Sequence, residues 1–80
     1  MTTGEAIKKR IIYLCEQKNI TINKLATLCG ITQSTLSNII SLRNNSTTVS
    51  TIKKICDGLE ITLADFFDSE EFNYLEQEIK

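Results

Sequence analysis

Histidine, tryptophan and proline are absent from this 80-residue chain, and its three cysteines, Cys15, Cys29 and Cys56, stand far apart with no CxxC pair. The usual zinc signatures are thereby removed, and an odd cysteine count does not suit a disulfide framework. These residue types at apolar positions read as reduced, buried thiols of a cytoplasmic protein. With no histidine, no matched nucleophile and base, and no Gly-rich phosphate cradle, the sequence offers no recognisable catalytic constellation. Neither enzyme chemistry nor a cofactor or metal is expected. No apolar run approaches the ~18 residues of a membrane span, and MTTGEAIKKR has no apolar stretch behind its basic residues, so neither membrane insertion nor secretion is expected. A chain this short forms one compact domain and leaves little room for a large internal cavity.

A net charge of -1 is low for a polyanion binder, but it conceals an asymmetry. Residues 1–56 hold eight basic groups against two acidic ones, a balance of +6, while residues 57–80 hold eight acidic groups against Lys80, a balance of -7. The first part suits contact with phosphates; the acidic end faces elsewhere.

Apolar spacing divides the chain into helices. Ile7, Ile11, Leu14 and Cys15 form one stripe of a helix over residues 5–18 that ends near Asn19. Thr21 is placed to cap a short second helix with Ile22, Leu25, Ala26 and Cys29 on one face, and Gly30 to terminate it in a left-handed conformation. Thr32 caps a third helix, QSTLSNIIS, in which Leu36, Ile39 and Ile40 point inward and Gln33, Ser34, Ser37, Asn38 and Ser41 outward. Thr48 caps a fourth helix with Val49, Ile52, Ile55, Cys56 and Leu59 as its buried stripe, weakened near its end by Gly58. Thr62 and Asp65 resemble a capping arrangement, after which Leu63, Phe66 and Phe67 close the core. Past Ser69, Phe72, Leu75 and Ile79 recur at helical spacing in an acidic segment. The expectation is an all-α, compact five-helix domain over residues 1–68 with an acidic helical tail over residues 69–80. That tail packs back on the domain, meets a second chain or frays; the sequence leaves these open.

Two short helices flanking Gly30, Ile31 and Thr32 form an αα corner. The segment ITINKLATLCGITQSTLSNIIS resembles the helix-turn-helix of the phage repressor and Cro family, also called the xenobiotic-response-element (XRE) family: Leu25-Ala26 in the second helix, Gly30-Ile31-Thr32 in the turn, Thr35-Leu36 in the third. The resemblance extends over roughly residues 5–67. It implies a lambda-repressor-like DNA-binding domain, a sequence-specific regulator that binds double-stranded DNA in the cytoplasm as a homodimer, by family analogy a repressor, with its third helix, 33–41, in the major groove. The family's base-contacting positions correspond to Gln33, Ser34, Ser37 and Asn38, whose amides and hydroxyls can read base edges without charge. Phosphate contacts correspond to Thr21, Asn23 and Thr32 at helix starts and to Arg43, Asn44, Asn45 and Ser46 in the following loop. The sequence departs from the family pattern where Ile22 replaces a leading Gln, Cys15 and Ile40 replace an Arg–Glu pair, Leu42 replaces a Gly and Thr47 a Pro. Replacement of both ion-pair partners implies that Cys15 and Ile40 pack together, and the changes at Leu42 and Thr47 imply a different path for the loop carrying Arg43. The alternative is a protein-interaction module, such as an antitoxin or anti-repressor component, that keeps the fold while its recognition face stands idle.

Overall fold

A computed structural model describes residues 1–42 and 47–79, which form α1 (Thr3–Lys18), α2 (Ile22–Cys29), α3 (Gln33–Ile40), α4 (Val49–Leu59) and α5 (Leu63–Phe67), followed by a 3-10 turn, Glu70–Asn73. Every α-helix starts at a threonine, Thr2, Thr21, Thr32, Thr48 or Thr62, whose extended backbone lets the hydroxyl accept a hydrogen bond from the third amide of the helix. Thr2 with Glu5 and Thr62 with Asp65 complete reciprocal capping boxes. The Thr2 amide and hydroxyl hold the Glu5 carboxyl below the usual carboxylate range. This first box starts α1 two residues earlier than its apolar stripe implies.

The helix ends share a second device. Asn19, Gly30 and Glu60 adopt left-handed backbone angles, with φ of 55°, 68° and 58°. The next residue, Ile20, Ile31 or Ile61, donates its amide to the carbonyl of Cys15, Ala26 or Cys56, five residues back, at 3.0, 3.3 and 3.0 Å. Each isoleucine then packs against the core, so the turn that satisfies the end of one helix also anchors the link to the next.

The core is one cluster drawn from all five helices, with Ile11, Leu25, Leu36, Ile55, Cys56, Leu59 and Phe66 fully enclosed. Arg10 ties α1 to α5: its Nε donates to the Phe66 carbonyl and its Nη2 to the Asp65 carbonyl, both at 2.7 Å, placing a cation at a helix C-terminus. All three thiols are free and buried. Burial pushes them up, Cys29 to about 11 with a contribution from Cys15 and Cys56, so they stay protonated near neutral pH.

Cys15 and Ile40 belong to the same cluster, Cys15 buried and Ile40 at its edge. Val49, expected in the stripe of α4, is exposed because it sits in the first turn, ahead of the buried Ile52.

Helical structure in the acidic tail is confined to the 3-10 turn, in which Phe72 meets Phe67 edge-on at 5.0 Å. Residues 74–79 are not helical, and Tyr74 and Ile79 are 76% and 88% exposed, so the 72–75–79 spacing does not produce a packed helix. A short helix with Glu76 and Glu78 at its C-terminal end would set carboxylates against the negative pole of its dipole. The segment instead turns to the start of α1. There Glu76 donates its amide to the Met1 carbonyl at 3.0 Å and pairs with the Met1 ammonium at 3.2 Å, while the Thr3 hydroxyl donates to Glu78 at 2.7 Å.

Candidate nucleic-acid interface

α2 and α3 meet across Gly30, which has no side chain to strain its left-handed backbone, and Thr32 starts α3 immediately afterwards. Leu36 and Ile39 are buried and orient α3. Gln33 and Ser37 lie four residues apart, as do Ser34 and Asn38, so the four share the outward side of the helix; Gln33, Ser34 and Ser37 are exposed and Asn38 half-buried. A shallow groove of about 240 Å³ runs between α2 and α3, walled by Ile22, Asn23, Ala26, Gln33, Leu36, Ser37 and Ile40. Gln33, Ser37 and Asn23, singled out in the sequence for different roles, are thus brought together.

Ile22 and Ile40, expected on inward faces, sit half-buried in this groove at the edge of the core. Sequence periodicity could not show this, because both lie at the margin of an apolar stripe, where a small rotation decides between core and surface.

At the helix starts, the Thr21 hydroxyl accepts from the Lys24 amide at 3.0 Å, leaving the first-turn amides of Ile22 and Asn23 without an intrahelical partner. Thr32 is more committed: its hydroxyl accepts from the Thr35 amide at 3.0 Å and donates to the Thr35 hydroxyl at 2.8 Å. Both capacities are spent within the cap, so any phosphate contact from Thr32 falls to its backbone. Thr32→Ala should cost about 1 kcal/mol and lower the Tm by roughly 4–8 °C, whereas Thr32→Ser, which keeps the capping hydroxyl, should lose little; an unchanged thermal melt for the alanine variant would show that the cap contributes nothing.

Leu42 adopts φ 61°, the left-handed conformation that glycine takes most easily. The backbone therefore reaches residue 42 by a glycine-compatible path despite the side chain. Arg43, Asn44, Asn45 and Ser46 lie outside the described residues. Among the described residues, no group of His, Cys, Asp or Glu is arranged to hold a metal, and no helix is long and apolar enough to cross a membrane.

The sequence matches the family of Cro/C1-type HTH DNA-binding domains over residues 10–71. The chain belongs to that family. The crystal structure of the prophage Lp1 protein 11 is similar to it, at 40% identity and a TM-score of 0.82, covering 91% of this chain and 97% of that one. No curated protein matches the sequence. The Cro/C1-type domain is a DNA-binding regulator module, a non-enzymatic class, and its all-helical fold is the one the apolar spacing implies.

Proposed function

We propose that this Cro/C1-type domain is a sequence-specific transcriptional repressor of the cytoplasm that binds double-stranded DNA as a homodimer and acts by occupying promoter or operator sites. The third helix, Gln33–Ile40 with Ser41 as its C-cap, lies in the major groove, with Gln33, Ser34, Ser37 and Asn38 toward base edges. Thr21, Asn23 and Thr32 approach phosphates at the helix starts, and Arg43, Asn44, Asn45 and Ser46 do so in the loop that follows. The observation that carries this reading is the exposure of Gln33, Ser34 and Ser37 on a short helix whose opposite side is locked into the core by Leu36 and Ile39. A rigid helix with an outward row of uncharged donors and acceptors suits direct readout, in which Gln pairs with adenine and Ser with several partners. Two copies read half-sites about one helical turn apart.

Selection from random duplex DNA at two salt concentrations tests this. Enrichment of paired half-sites is expected, with affinity falling steeply as salt rises. Gln33→Ala combined with Ser37→Ala should weaken the selected duplex about 10- to 100-fold while leaving weak non-specific binding in place. No enrichment, or enrichment indifferent to both substitutions, would mean that α3 does not read bases.

A further inference from the structure

The groove between α2 and α3 has polar walls, Asn23, Gln33 and Ser37, but an apolar floor and shoulder made by Ile22, Ala26, Leu36 and Ile40. Gln33 and Ser37, assigned above to base edges, are two of its walls, so a base pair that they read stands over it. Ile22 and Ile40 are only half-buried, so the domain alone leaves them partly exposed to water. Among the groups that DNA presents in the major groove, only the thymine 5-methyl is apolar; guanine and adenine present N7, and cytosine presents an amine beside a bare C5–H. A purine N7 over isoleucine would lose its water without gaining a donor. Thymine instead offers a methyl to the shoulder and its O4 to the hydroxyl of Ser37.

We infer that Ile22, on the helix preceding the recognition helix, is a specificity-determining residue that receives a thymine 5-methyl group beside the base read by Gln33. This rests on the reading of α3 as the recognition helix and extends base readout to a side chain of α2. Ile40 closes the far side of the same recess.

Uracil differs from thymine only by this methyl and leaves base pairing intact. Each thymine of the selected duplex is replaced by deoxyuridine in turn, and binding of the full chain is measured by fluorescence anisotropy. One thymine per half-site should respond, with affinity about fourfold weaker per missing methyl. Ile22→Ala should bind the thymine and uracil duplexes equally at that position, while still losing affinity when Gln33→Ala is added. Equal tolerance of uracil at every position would overturn the inference and leave readout by α3 standing, as would a thymine preference that persists in Ile22→Ala. Failure to enrich any duplex would overturn both. The uracil scan uses the unaltered protein, so equal tolerance of uracil would overturn the inference even if Ile22→Ala does not fold.

Discussion

Phe66→Ala is expected to remove about 3–5 kcal/mol of stability, a large part of the roughly 4–12 kcal/mol that a domain of this length holds. Phe66 is the largest of the fully enclosed side chains and the central packing element of α5, a five-residue helix too short to persist alone. Its ring meets Phe67 edge-on at 5.0 Å and lies 6.2 Å from Phe72, so its loss would remove the fully enclosed member of an aromatic trio. The Arg10 guanidinium that holds the Phe66 carbonyl would then clasp a helix with little left to anchor it. Phe67→Ala provides the comparison. That ring is 39% exposed, and truncating it should cost on the order of 1 kcal/mol. Urea titration of both variants distinguishes the cases: similar midpoints would show that the core closes without α5. The tail should loosen with Phe66→Ala as well, because Phe72 connects it to this trio.

Helix starts and the turn between α2 and α3 were legible because each depends on one residue type in one local conformation. Thr21, Thr32, Thr48 and Thr62 cap as their positions before apolar stripes imply, and Gly30 is left-handed. A wider pattern was present but less visible: Asn19-Ile20-Thr21, Gly30-Ile31-Thr32 and Glu60-Ile61-Thr62 are one linker used three times. In each, a left-handed residue stops a helix, an isoleucine anchors to the core and a threonine starts the next helix. Glu60 hid the third instance, since a charged residue gives no hint of a left-handed backbone. Long-range partners were not legible. In the sequence Arg10 is only one of the eight basic groups of residues 1–56, yet it binds the end of α5, 55 and 56 residues away. The outward residues of α3 followed from helical spacing, whereas the groove beside them depends on how closely two helices approach, which spacing within either helix does not contain. The tail shows the opposite limit: periodic apolar residues form no helix where the charge pattern opposes it and the start of α1 offers an ammonium and a hydroxyl instead.

Gly58 illustrates how an apparent local weakness can be a requirement of packing. In the late turns of α4, glycine costs about 1 kcal/mol relative to alanine, so Gly58→Ala would stabilise an isolated helix. In this domain an added Cβ would stand 2.6 Å from Cys29 Sγ, 3.0 Å from the Cys29 backbone nitrogen and 3.1 Å from its Cα. The sulfur could shift only by disturbing a buried thiol that reaches the Ile55 carbonyl at 3.7 Å, and the backbone atoms belong to the last residue of α2, directly before the Gly30 turn. Relief therefore requires α2 and α4 to separate. A net loss of about 2 kcal/mol is expected, seen as a Tm lower by roughly 10 °C. Adding Cys29→Ala should recover only part of it, because the contacts with nitrogen and Cα remain. DNA affinity measured well below both melting temperatures should also fall, since displacing α2 changes the groove that it shares with α3. A raised Tm for Gly58→Ala would show instead that the helices have room to spare, and that Gly58 serves neither their approach nor the surface built on it.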